Sequence, residues 1–343
     1  MIIKYPKNLN EKDTVGIIST SGGIYDQNDQ KRLDNAKKNL TNIYKFNFKE
    51  SSNLRQNHKL TSMDGKIRAK EFMTFWQNEN ISWVAQAKGG EFLIDMLPFI
   101  DSDIIKNNNP KWVNGYSDCT LLNFYLTTNF NIATITSNNF LSFGMNDIHS
   151  SLLNTIKIMK NFDEDKQTNF SLYEKEKLPR KERKFDNSYN LTEKIEYKNL
   201  YENKKDIISG RLIGGCIDVL IQLCGTPFDN TVNFCNQFEE GMLWYLENAE
   251  LSPPSLYRTL LQMKKCNWFN NTNGFIIGRT YSNTPYLDFE YTDALHKVFD
   301  DLNVPVIYDI DTGHVAPQWT LVNGSYAKFN YEKGKASIIQ YKK

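Results

Sequence analysis

The feature that most constrains the fold is a unit repeated through the first half of the chain: a short apolar run, a loop of small residues, then a helix-forming stretch. Residues 15–19 (VGIIS) run into Thr20-Ser21-Gly22-Gly23, and 82–87 (SWVAQA) end at Gly89-Gly90. Residues 111–116 (KWVNGY) lead into a helical stretch over 120–128, and 132–136 form another β-branched run. Strand, loop and helix in this rhythm predict a parallel sheet covered by helices. In such sheets the working residues sit in loops at the carboxyl ends of the strands.

Residues 163–205 differ in character, with YEKEKLPRKERKFDNSYNLTEKIEYKNLYENKK polar, charged and weakly periodic. They read as a surface linker with an inserted loop, and the interleaved glutamates make them a solvated face rather than a basic recognition patch. In the second half, 207–212 precede Gly214-Gly215, which are expected to open a helical run through Leu223. A strand over 242–246, a helix opened by Pro253 and strands over 275–277 and 304–310 follow. In the tail, Asn323-Gly324 and Lys333-Gly334 are turn signals between alternating runs, predicting a β-hairpin or meander. The expected organisation is α/β: an N-terminal parallel-sheet, Rossmann-like domain (1–162), a linker or insert (163–205) and a C-terminal mixed, β-rich domain (206–343).

Charge narrows the function. With 41 basic and 40 acidic residues the net charge is +1, which gives no global pull toward nucleic acid or an anionic membrane. The polar N-terminus lacks secretory-signal architecture, and no run approaches the roughly 18 apolar residues of a membrane helix. The five cysteines are odd in number and form no CxxC pair, and the four histidines show no metal-ligand spacing. Reduced thiols, no metal, no cofactor and a cytoplasmic address are the expectations.

Three strand ends carry candidate chemistry. In Gly115-Tyr116-Ser117-Asp118 a strand delivers a serine into a sharp turn before a helix, and the N–H after it points where an oxyanion would form. The lipase elbow has glycine where Cys119 stands, and taken alone a Ser-Asp pair after a strand is more often a helix N-cap. Glu247 closes an apolar strand, where a carboxylate is costly to bury unless paired; turning to solvent is the alternative. His314 follows Asp311-Thr312-Gly313 at another strand end and has the chemistry of a base for a hydroxyl nucleophile. The other histidines lack such a setting: His58 sits in a polar loop, His149 and His296 in helices. Lys88-Gly89-Gly90 ends a further strand, and its glycines either admit a ligand to the backbone or simply make a tight turn. Cys119, two positions past the serine, should face elsewhere in the first helical turn.

A series of ordered blocks resembles the LD-carboxypeptidase family, whose relatives include the microcin C immunity peptidases. The blocks are DTVGIISTSG, KGGEFLIDMLPFID, KWVNGYSDCTLL, GRLIGGCIDVLIQLCGTPF, MLWYLENAELSPPSLYRTLLQM, NGFIIGR and VPVIYDIDTGHVAPQWTLVNGSYA. The resemblance implies a serine peptidase with its active site between the two domains. Ser117 would be the nucleophile, Glu247 the orienting acid and His314 the base, with an oxyanion hole from the backbone N–H of Asp118 and of Gly89 or Gly90. Lys88, Glu91 and Tyr116 would line the substrate. It further implies a metal-free, cytoplasmic homodimer acting on a small peptide or muropeptide, with no nucleic-acid polymer or membrane as partner.

Two substrates share that mechanism: a muropeptide cut at its L,D-bond, and a peptidyl- or aminoacyl-nucleotide conjugate. A non-catalytic ligand-binding protein on the same scaffold is the reading from another class. The long ENAELSPPS block and the insert look closer to the immunity branch. Between Trp112 and Trp244, however, there is no tryptophan, so a nucleobase plate would have to come from Tyr173, Tyr189 or Tyr197. Asn138-Asn139 replaces a frequent glycine-proline step, and Glu91-Phe92 after Gly90 alters the substrate rim.

Overall fold

The structure, a computed structural model, describes residues 2–343. Five strands of the first half are β1 (Thr14–Ile18), β2 (Asn47–Glu50), β3 (Ile81–Gln86), β4 (Trp112–Gly115) and β5 (Thr134–Thr136). They pair in parallel in the order β2-β1-β3-β4-β5. Helices cover the sheet, so β1, β3 and β4 are buried almost throughout. That explains why they read as continuous apolar runs. The order reverses between β1 and β3, the kind of switch point where doubly wound sheets open a crevice at their carboxyl ends.

The second half supplies β6 (Glu164–Thr168), β7 (Leu172–Tyr173), β8 (Glu193–Lys194), β9 (Lys198–Asn199), β10 (Lys205–Cys216), β11 (Met242–Glu247), β12 (Thr272–Gly278), β13 (Val306–Ile310), β14 (Leu321–Asn323), β15 (Tyr326–Glu332) and β16 (Lys335–Tyr341). Eight of these form one sheet in the order β6-β16-β15-β10-β11-β12-β13-β9. Its centre, β10 to β13, is parallel, while its flanks are antiparallel. The molecule is therefore a two-domain α/β protein with a mostly parallel first sheet and a mixed second one. No helix among the described residues is long and apolar enough to cross a membrane.

Three expectations change. Gly214-Gly215 do not open a helix; β10 runs through them to Cys216. The pair serves close approach: a Cβ on Gly214 would lie 1.7 Å from the Tyr245 carbonyl oxygen, and one on Gly215 would lie 1.9 Å from Thr120 Cγ2. Lys333-Gly334 does turn a hairpin between β15 and β16, but Asn323-Gly324 does not. Instead β14 leaves its neighbours and pairs antiparallel with β5, extending the first sheet. The polar stretch over 163–205 is also not only linker. It gives β6 and β9 to the two edges of the second sheet, and β7 and β8 form a separate ribbon. Edge strands are where charged side chains belong, which hid them in the sequence.

The helix Thr120–Phe130 is buried at every position except Asn129. It packs against β5 of the first sheet and β10 of the second. A helix enclosed on all sides needs no polar face, and its Thr127 and Thr128 hydroxyls donate back to the carbonyls of Asn123 and Phe124 at 3.1 and 3.0 Å. This helix starts at the turn that carries Ser117.

Candidate active site

Ser117 follows β4 and heads a short 3-10 turn, Ser117–Cys119, that flows into the buried helix. Its φ is +61°, a left-handed conformation that costs a non-glycine residue about 1–3 kcal/mol. The surroundings hold it there. Asn139 Oδ1 accepts the Tyr116 N–H at 3.0 Å, and Asn123 Nδ2 donates to the Gly115 carbonyl at 3.0 Å. The strained turn lifts the hydroxyl off the sheet. The N–H groups that open the helical turn have no partner inside it.

His314 comes to the serine from the second domain, on the loop after β13. Its Nε2 lies 3.0 Å from Ser117 Oγ and its Nδ1 lies 2.9 Å from Glu247 Oε2. Because a carboxylate only accepts, Nδ1 carries the proton and Nε2 is left to accept from the serine hydroxyl. Burial by itself pulls the imidazole pKa down, but the Glu247 charge and hydrogen bond outweigh it, so the pKa is raised above its ordinary value. Glu247 ends β11 and is buried. Gly313 makes room for it: φ there is +99°, and a Cβ would fall 2.5 Å from Glu247 Oε2. Tyr116 packs its ring against the imidazole, with centroids 5.1 Å apart. Burial first, then the nearby Glu247 charge, pushes its phenol up to about 12.

The remaining sequence candidates surround this line. Gly89 abuts the serine, since a Cβ on it would lie 3.2 Å from Ser117 Oγ. The Gly89 carbonyl takes the Gly22 N–H at 3.1 Å, tying the loop after β3 to the loop after β1. The Asp118 side chain is buried; it accepts from the Ser21 hydroxyl and from the Leu93 N–H at 2.9 Å. Burial pushes its carboxyl pKa up. Lys88 is ion-paired with Asp29, and Glu91 is exposed. Cys119 is fully buried against the Lys88 carbonyl, 3.2 Å away, and burial drives its thiol pKa well upward. It is therefore no nucleophile.

A cavity of about 210 Å³ opens beside His314 and is lined by Tyr116, Asn138, Glu174, Lys177, Tyr189 and Gln318 among others. A larger one, about 560 Å³, lies around Lys4, Lys7, Trp76 and Lys111, where β3 and β4 begin, away from the serine. The insert roofs the first cavity. The Glu174 N–H donates to the Ala316 carbonyl at 2.8 Å, and Arg32 Nη1 donates to the carbonyls of Phe185 and Asn187 at 2.8 and 3.2 Å. The three tyrosines considered as a base-stacking plate each have a polar partner, and Tyr189 also lines the cavity beside His314. Tyr189 donates to Asn138 Oδ1 at 2.9 Å. Tyr173 lies 4.2 Å from the Arg279 guanidinium, and the buried Tyr197 donates to Asp311 at 2.5 Å. Asn139, Glu174 and Arg32 were not singled out from the sequence as site residues. Only the departure at Asn138-Asn139 signalled one of them.

A two-domain α/β scaffold that brings serine, histidine and glutamate into one hydrogen-bonded line across its domain junction has the layout of a hydrolase. Residues 15–137 match the LD-carboxypeptidase N-terminal domain and 209–329 its C-terminal domain; together they span well over half of the chain, which belongs to the LD-carboxypeptidase family of peptidases. The chain is 25% identical over 290 residues to the microcin C7 self-immunity protein MccF of Escherichia coli, covering 80% of this chain and 78% of that protein. It is 24% identical over 340 residues to a probable murein peptide carboxypeptidase of Bacillus subtilis, covering 98% and 94%. Its fold matches a structure of MccF in complex with aspartyl sulfamoyl adenosine with a TM-score of 0.81, 22% identity and 98% coverage of both chains.

Proposed function

We propose that this protein is a serine carboxypeptidase that cleaves an amide bond in a muropeptide through Ser117, His314 and Glu247. One observation carries the reading: Ser117 Oγ, His314 and Glu247 stand in line at 3.0 and 2.9 Å, with the serine on a strained strand-to-helix turn. His314 Nε2 takes the hydroxyl proton as Oγ attacks the substrate carbonyl, and then returns it to the leaving amine. Glu247 fixes the tautomer and stabilises the imidazolium. The N–H groups of Asp118 and of the Gly89-Gly90 pair receive the oxyanion, and each such donor contributes about 3–4 kcal/mol in comparable sites. A homodimer in the cytoplasm is part of the same reading.

Tyr197 is buried and the Tyr173 ring is covered by the Arg279 guanidinium, so of the three tyrosines Tyr189, in the lining of the cavity beside His314, is the one that could face a base, and the assay has to separate the two substrates. Purified enzyme is to be assayed against a muropeptide with a terminal D-alanine and against an aminoacyl sulfamoyl adenosine. Release of D-alanine from the first is the expected result, and turnover of the second alone would replace the substrate reading. Ser117→Ala should remain folded and lose on the order of 10⁴ or more in rate; wild-type turnover by it would remove the triad.

A further inference from the structure

The strand pairing that positions Glu247 also positions a thiol. In the parallel register of β10 and β11, Cys216 is the partner of Glu247. One ligand atom from each of Cys216, Glu247 and His314 lies within 4.8 Å of the other two. We propose that Cys216, Glu247 and His314 form a binding site for a thiophilic divalent cation, zinc foremost, whose occupation switches the serine centre off.

Thiolate, imidazole and carboxylate are the donors of three-ligand zinc sites, with water in the fourth position. Zinc bonds of about 2.0–2.3 Å place tetrahedral donors roughly 3.5 Å apart, so small side-chain rotations close the set. Glu247 adds a second pointer: its Oε1 is buried and meets no donor in good hydrogen-bond geometry among the described residues, and the group set against its carboxylate is the Cys216 thiol. A buried acceptor without a well-placed donor calls for an explanation, and a cation satisfies it. Asp218 Oδ2, 3.7 Å from Cys216 Sγ, adds negative charge beside the site. Cys216 and Glu247 are buried, while the His314 side chain is 21% exposed, so the histidine is the donor nearest solvent.

Occupation is incompatible with base catalysis. The Cys216 thiol gives its proton to solvent and sulfur bonds the metal. The His314 Nδ1 lone pair bonds the metal, and the imidazole proton relocates from Nδ1 to Nε2. Nε2–H then donates toward Ser117 Oγ instead of accepting from it, and the Glu247 carboxylate ligates instead of orienting the ring. No electron changes hands. The inhibitory consequence rests on the proposed triad, whereas binding itself does not.

The test therefore reads binding without turnover. Chelator-treated full-length protein is titrated with Co²⁺ and followed by absorption. The expected result is a thiolate-to-cobalt charge-transfer band with the strong visible absorption of a four-coordinate site, saturating at one equivalent and displaced by Zn²⁺. Cys216→Ser should lose the band and weaken Zn²⁺ affinity, read by competition with a chromophoric chelator, by at least roughly 10–100-fold. His314→Gln, altered at a partly exposed side chain, should weaken it likewise. Circular dichroism confirms that each variant is folded. The other close thiols, Cys224 and Cys266, are the control. A band that survives Cys216→Ser, or one that disappears in Cys224→Ser instead, overturns the assignment, as does a wild-type protein with no band.

Discussion

At the scale of single residues, His314 is where the electrostatics become measurable. Its pKa is raised because Glu247 outweighs the effect of burial, and in the proposed role of general base it must be neutral to act. The acidic limb of kcat/KM should therefore lie above the ordinary histidine value of about 6.5, with activity rising as pH climbs through it. Glu247→Gln removes the charge that raises the pKa. The limb should move to lower pH while the rate falls by up to about 10⁴. A pH–rate profile whose limb stays in place in Glu247→Gln would assign the shift to another group. The same residues show what was legible. Ser117, Glu247 and His314 each end or follow an apolar strand, so their setting can be read from a few neighbours. Cys216 and Asn139 matter through a strand register and a side-chain hydrogen bond to a distant backbone, and local sequence carries neither.

At the scale of elements, the loop from β13 to β14 must hold His314 still. Its anchor is Asp311, buried and reached by Arg279 Nη1 at 3.1 Å, by the Tyr197 hydroxyl at 2.5 Å and by the Phe170 N–H at 3.2 Å. Two of these partners, Phe170 and Tyr197, come from the stretch that reads as linker. The insert is therefore a structural member of the site, and its one core tyrosine was hidden among charges. Tyr197→Phe removes one donor from a buried carboxylate, at a cost of about 1–3 kcal/mol. The expected outcome is a lower unfolding midpoint in denaturant with m unchanged. The kcat should also fall, by up to about 10²-fold, because the imbalance sits just ahead of His314. An unchanged kcat beside a lowered midpoint would make this network purely structural. The elements themselves were legible where both faces are buried, as in β1, β3, β4 and β11. They were misread where edge pairing or a glycine close approach decides, as in β6, β9 and Gly214-Gly215.

At the scale of the whole molecule, the two sheets are bound too tightly to behave as separate units. One continuous apolar cluster includes Val15, Trp83 and Val113 of the first sheet together with Ile213, Trp244 and Phe275 of the second. The buried helix Thr120–Phe130 lies between them, and β14 carries the C-terminal part of the chain into the N-terminal sheet. Polar ties follow the same seam. The Tyr245 hydroxyl of β11 lies 2.7 Å from Thr136 Oγ1 of β5 and 2.7 Å from Asn323 Oδ1 of β14. A hydrogen-bonded line that takes its serine from one half and its histidine and glutamate from the other needs this, since a hinge at the junction would break a 3.0 Å contact first. Calorimetry should accordingly show one cooperative transition, with the halves melting together. Tyr245→Phe strips the shared hydroxyl and leaves Thr136 and Asn323 short of a buried partner. It should cost roughly 2–3 kcal/mol and lower the midpoint by a few degrees without dividing the peak. Two resolved transitions in the wild type would mean that the halves fold independently, and the serine centre would then depend on docking rather than on a common core.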